Sequence, residues 1–283
     1  MSTLIDYFLG RILRIYPLFV LSVFVYYYLG TAGIDSHTDT FKAITFQQGY
    51  AHLWTVPVEF KFYFVLPLLA LVGRYLYSHF GSQGLLISGL LFTVAHQSVS
   101  PYWLSRESSI DTFQYLPAFL FGVIGAILKA NNVFPQITQK AIAIGSFILV
   151  AVFASTPIVR YMVLDMAPSD YLMNKYLFFC FGWTVFIFSQ VNSRGFLSRF
   201  FVSRPLSIIG LYSYSIYLIH WLVLAKVSAL YPGKFGAAAA VLVISIALGF
   251  FMYVFFEKPL LAARKRLTAN KRLQSRVSGA TAL

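Results

Sequence analysis

Of the 283 residues, 59% are hydrophobic, 18% aromatic and only 11% charged, with a mean hydropathy of +0.73. Soluble domains carry about a quarter charged residues, so this composition excludes a soluble globular enzyme and a disordered chain. It also excludes a nucleic-acid-binding domain, despite a net charge of +13. What remains is an all-α, polytopic transmembrane helix bundle.

In chain order, long apolar runs predict about eight spans, near 15–30, 54–73, 84–98, 113–128, 140–156, 172–190, 207–229 and 236–256. No charged-then-apolar leader with a small-residue cleavage site precedes the first. With a cytoplasmic N-terminus and a change of side at each span, 15 of the 22 Lys and Arg fall inside against Asp6 and Glu257, a net of +13. The outer segments sum to −1. This partition follows the positive-inside rule and implies an even number of spans with both termini cytoplasmic. Residues 1–260 make the membrane-embedded domain, and 261–283 a basic, disordered cytoplasmic tail suited to anionic lipid rather than nucleic acid. Cys180 is the single cysteine, so no disulfide is expected. No His, Cys and acid cluster has metal-ligand spacing. Gly122 and Ala126 form a small-xxx-small pair expected to let helices approach closely.

Three segments could carry chemistry. The first is Arg11-Ile-Leu-Arg14-Ile-Tyr-Pro17, at the inner end of span one. Its two arginines, one turn apart, are topology anchors or a grip for an anionic cytosolic ligand such as a phosphate-bearing cofactor. The second is His52-Leu-Trp54-Thr-Val-Pro-Val-Glu59-Phe-Lys61-Phe-Tyr63. Pro57 suits a first helical turn with Thr55 as N-cap. Glu59 then either complements the helix dipole or serves as a base or orienting group, with Tyr63 one turn on along the same face.

The third is Leu211-Tyr-Ser213-Tyr-Ser215-Ile-Tyr217-Leu-Ile-His220-Trp221. Ser213, Tyr217 and His220 share a helical face. Ser213 and His220 are nonetheless roughly 10 Å apart along the axis, too far for a local nucleophile pair. His220 reads equally as a packing histidine or a catalytic one.

Together these segments resemble the acyltransferase-3 family of integral-membrane O-acyltransferases. The first is similar to that family's R-x-x-R-I-x-P start of a helix. Leu53 to Tyr63 with Pro67 resembles L-W-S-L-x-x-E-x-x-F-Y…P. Ser213 to His220 resembles S-Y-S-L-Y-L-x-H, and Glu257-Lys-Pro259 the closing E-x-P. The resemblance implies O-acyl transfer, usually acetyl, from cytosolic acyl-CoA (acetyl-CoA) as co-substrate to a glycan or lipid-linked glycan hydroxyl, in the plasma or inner membrane. It puts Arg11 and Arg14 on the donor's phosphates and makes Glu59 and His220 catalytic. His52, Trp54, Tyr63 and Tyr217 would line the substrate site. Family members begin with an arginine followed about eleven positions later by a histidine; this chain starts where their third helix would begin. No residue here matches that histidine, so His52 and His96 are the substitutes to consider. A non-catalytic relative acting as a glycan flippase or binding partner is the alternative.

Overall fold

The computed structural model describes residues 2–106, 108–133, 144–148, 151, 176–191, 195–232 and 235–263. Every regular element among them is helical. In chain order these are α1 (Ser2–Tyr28), α2 (His37–Ile44), a 3₁₀ turn (Ala51–Trp54), α3 (Thr55–Val99), a second 3₁₀ turn (Tyr102–Leu104) and α4 (Leu116–Ala130). There follow α5 (Tyr176–Gln190), the short α6 (Phe196–Phe201) and α7 (Arg204–Leu211), α8 (Ser213–Leu230), α9 (Phe235–Met252) and a π-helical turn (Tyr253–Glu257).

Four stretches among the described residues are long and apolar enough to cross a membrane: Leu4–Tyr28, Ala51–Val99, Ser213–Leu230 and Gly236–Ala263. Helices α4 and α5 are apolar but have 15 residues each, short of the roughly 20 a perpendicular crossing needs. Most of the span expected at 140–156, the first residues of that at 172–190 and the tail from residue 264 lie outside the described residues.

The chain forms two units, Met1–Tyr63 with Ser207–Leu283, and Phe64–Leu206. In the first, α1 begins about thirteen residues earlier than its apolar run suggested, because the amphipathic segment before Ile15 continues the helix. Arg11 and Arg14 therefore lie within α1 rather than at its inner end. Arg14 is ten residues past Leu4, about 15 Å along the axis. The core of this unit is Leu18, Phe19, Val23, Ile34, Leu53, Val56 and Leu218, all nearly inaccessible.

Apolar contact alone gives helices little reason to associate in lipid, so interhelical hydrogen bonds and close packing matter there. Tyr26 Oη donates to the Leu218 carbonyl (2.9 Å), and Tyr214 Oη to the Ile15 carbonyl (2.8 Å), tying α1 to α8. Contacts of Tyr7 with Tyr63 and of Tyr26 with His52 show that the start of α3 runs opposite to α1. Helix α9 lies directly on α8. A Cβ added at Gly249 would sit 2.3 Å from Ile216 Cγ1 and 2.9 Å from its Cα.

The run expected as one span at 207–229 is divided at Tyr212. That residue's N–H bonds the Ile209 carbonyl in a tightened turn, and its ring packs on Phe250 and Tyr253. Helix α2 is closed by a capping box between Ser36 and Asp39. Hydrogen bonds from Ser36 and Tyr50 hold the Asp39 carboxyl below the usual carboxylate range. Burial, aided by Asp39, pushes the Tyr50 phenol up to about 12.

In the second unit α3 reverses at Gly81, whose φ of 66° and ψ of −165° are costly for a residue with a side chain. A Cβ at Gly73 would lie 3.8 Å from Leu85 Cδ1. A straight helix would hold residues twelve apart about 18 Å from each other. One continuous element thus accommodates the two expected spans at 54–73 and 84–98. His79 lies near the end of the first arm, with Nδ1 3.0 Å from the Tyr75 carbonyl.

The small-residue contact between α4 and α5 is at Gly125, where a Cβ would meet the Phe188 ring at 1.9 Å. A Cβ at Gly122 would meet nothing within 4 Å. The close approach is thus one turn along α4 from Gly122, and the expected Gly122–Ala126 pair does not make it. His96, a proposed substitute histidine, is a structural fastener. Its Nε2 donates to the Phe113 carbonyl (2.7 Å) and its Nδ1 accepts from Gln97 Nε2 (3.1 Å). With both nitrogens engaged and 5% of the residue exposed, it is not free to act on a substrate.

Candidate functional site

The segment Tyr50–Tyr63 positions most of the site. The 3₁₀ turn Ala51–Trp54 runs straight into α3, so Thr55 already has helical angles (φ −70°, ψ −28°) and is not an N-cap. Because the preceding turn supplies the helical lead-in, the Thr55 hydroxyl is available across the bundle, where it bonds the Tyr217 hydroxyl of α8. Tyr217 Oη also donates to the His52 carbonyl.

Two turns further along α3, Tyr63 Oη donates to Glu59 Oε1. The Arg11 guanidinium lies over the Tyr63 ring, 4.5 Å from its centre, a cation–π arrangement favoured where water is scarce. Tyr7 Oη donates to the Tyr63 carbonyl (3.3 Å) and fixes the other side of that turn.

Between these levels lies a cavity of about 420 Å³, lined by Arg14, Thr55, Glu59, Tyr63, Ser213, Tyr214 and Tyr217 among others. Arg14 projects into it from α1, and α8 closes its far wall. Behind that wall Ser215 Oγ donates to Glu257 Oε2 (2.6 Å), with Ser215 fully buried and Glu257 3% exposed. Glu257 ends the π-helical turn, a local widening often found at functional sites. It is near enough to Arg14 to interact with its charge.

Beyond Tyr217 is a pair of imidazoles. The rings of His52 and His220 are 4.7 Å apart at 73°, and His52 also stacks on Trp221 (5.8 Å, 20°). His220 Nδ1 lies 2.6 Å from the Tyr217 carbonyl. A carbonyl can only accept, so Nδ1 carries the proton and Nε2 of the neutral ring keeps its lone pair. The ring nitrogens of His52 are buried without a well-formed hydrogen bond, although the Tyr217 and Leu218 carbonyls face the ring.

From His52 to Tyr63 the site extends roughly 16 Å along the 3₁₀ turn and the start of α3. It has cations and a carboxyl–phenol pair at one end and imidazoles at the other. Charged groups at membrane depth are costly and mark function. No group of three or more His, Cys, Asp or Glu able to hold a metal occurs among the described residues. An arginine in the cavity can hold an anionic group, and the carboxyl group and imidazole acceptor can orient and deprotonate a hydroxyl.

A family model described as "Acyltransferase domain", of the acyltransferase-3 family, matches residues 1–254. The chain belongs to the acyltransferase-3 family. No curated protein and no solved structure matches it. Membership, with four helices among the described residues long and apolar enough to cross a bilayer, makes this a membrane acyltransferase-family protein.

The family motifs noted in the sequence meet in space. Arg14, Glu59, Tyr63 and Tyr217 line one cavity, Arg11 stacks at its end, and His52 and His220 pair beyond it. Trp54 stays in the 3₁₀ turn, outside the cavity wall. Ser213 reaches the cavity, while His220, on the same helical face, is carried past it to His52. Sequence reading missed Tyr26, Tyr214 and the Ser215–Glu257 pair. Tyr214 and Ser215 had a signal in the S-Y-S motif and Glu257 in the closing E-x-P, but neither motif named their partners; Tyr26 had none.

Proposed function

We propose that this chain is a multi-pass O-acyltransferase of the plasma or inner membrane. It moves an acyl group, acetyl in the simplest case, from cytosolic acyl-CoA to a hydroxyl of a cell-surface or exported glycan. Arg11 and Arg14 take the donor's phosphates, for which the guanidinium fork is suited. The Glu59–Tyr63 pair orients the thioester end within the cavity, and Tyr217 forms the boundary with the imidazole pair.

The acceptor hydroxyl approaches from the histidine side and loses its proton to His220 Nε2 as its oxygen attacks the thioester carbonyl. The tetrahedral oxyanion is held by hydroxyl or guanidinium donors of the cavity. Collapse breaks the C–S bond, the thiolate leaves, and the proton on His220 passes to it, giving ester and free CoA. His52 and Trp221 offer the acceptor a flat apolar face. The observation that carries this reading is the single column in which Tyr217 touches both the arginine-lined cavity and the histidine pair.

The test is transfer of label from acetyl-labelled CoA to glycan in membranes holding the protein. Wild type should transfer label, Arg14→Gln should raise the KM for acetyl-CoA, and His220→Gln should lower kcat by at least tenfold. Wild-type membranes that transfer no more label than control membranes overturn the proposal.

A further inference from the structure

Three consecutive tyrosines end α1, and they differ in what they touch. Tyr28 is 88% exposed, and Tyr27 Oη bonds His37 Nε2 at 3.2 Å. Tyr26 is completely buried. Its hydroxyl donates to the Leu218 carbonyl (2.9 Å) and accepts the Leu222 N–H (3.2 Å). Those two groups are the partners of one i to i−4 rung of α8, and His220 lies midway between them. The Tyr26 ring meets the other imidazole edge-on, with its centre 5.7 Å from that of His52. One side chain therefore contacts both the turn that carries His220 and the ring of His52.

The hydroxyl is not needed to satisfy buried backbone, because a helical rung can pair with itself. Nor is it needed to fill the core, since phenylalanine would supply the same ring. Its effect is to pin one turn of α8, in height and rotation, to α1. We infer that Tyr26 is a positioning residue that sets the spacing of His52 and His220 through the Leu218–Leu222 rung. The consequence for catalysis rests on the acyl-transfer reading above; the consequence for geometry does not.

Tyr26→Phe tests both. In an active background kcat should fall about 10- to 100-fold, the scale of a misplaced catalytic group, while the KM for acetyl-CoA stays within twofold because the arginine end is untouched. Tyr27→Phe, one residue away, should match wild type. Independently of any transfer, the rate at which diethyl pyrocarbonate modifies His220, followed by mass spectrometry, should rise at least threefold in Tyr26→Phe as the turn is released. A wild type that transfers no acyl group removes the functional reading and leaves the modification rate to decide. An unchanged modification rate, or an unchanged kcat in an active background, overturns the inference.

Discussion

The Ser215–Glu257 pair offers the sharpest test of how the cavity is supported. Ser215 is fully buried, Glu257 is 3% exposed, and they are joined at 2.6 Å. Ser215→Ala removes the donor and leaves Oε2 enclosed without a partner. Losing a hydrogen bond to such a group costs about 1.5–3 kcal/mol. Glu257→Met removes the acceptor and also changes what Arg14 faces. That second effect recurs in the double variant and so cancels from the cycle. Because replacing both polar partners by apolar groups is cheaper than removing one, the double variant should recover part of the loss. The coupling should be about 1–2 kcal/mol. The assay is reversible unfolding by SDS titration in mixed micelles for the four proteins of the cycle. Coupling below about 0.5 kcal/mol, the ordinary limit of additivity, would refute a direct buried bond.

Glu59→Gln should lower transfer from acetyl-CoA by about 10²-fold, the scale of a misplaced reacting group; unchanged activity removes Glu59 from the mechanism. Gly249→Ala should destabilise the protein by about 1–3 kcal/mol, read as a lower unfolding midpoint, because the added methyl meets Ile216 backbone atoms as well as its side chain. Asp39→Ala should lower Tm at neutral pH. Asp39 is held below the usual carboxylate range when folded, so its contribution is complete above that range and fades as pH falls through it. The Tm gap to wild type should therefore close in acid. At the alkaline end the sign reverses for Tyr50, raised to about 12. Its contribution is full below the ordinary phenol range and is lost as pH rises through about 12, so wild type should lose Tm there relative to Tyr50→Phe.

Much of the site was legible because its parts are chemically costly where they stand. Glu59 inside an apolar run, and His220 in an aromatic one, are conspicuous against lipid, and Arg11 and Arg14 stood out as a basic pair at a span end. Their motif order identified the family over most of the chain. His52 and His96 looked alike as histidines near span ends. One joins His220 and the other is bound at both nitrogens by Phe113 and Gln97, a distinction that depends on partners up to 168 residues away. Gly122 and Gly125 lie one turn apart along α4, and a small-residue pattern does not encode which turn meets α5.

Composition and the distribution of charge determined by themselves that this chain is helical and bound to membrane, since transfer energies are set by residue type and act locally along a span. The tertiary structure decided which polar groups meet. It took the Thr55 hydroxyl from capping to Tyr217, buried Glu257 against Ser215, and chose Tyr26 from three adjacent tyrosines to hold the His220 turn. A hydrogen bond between helices depends on rotation and register, fixed only when α1, the start of α3 and α8 pack together.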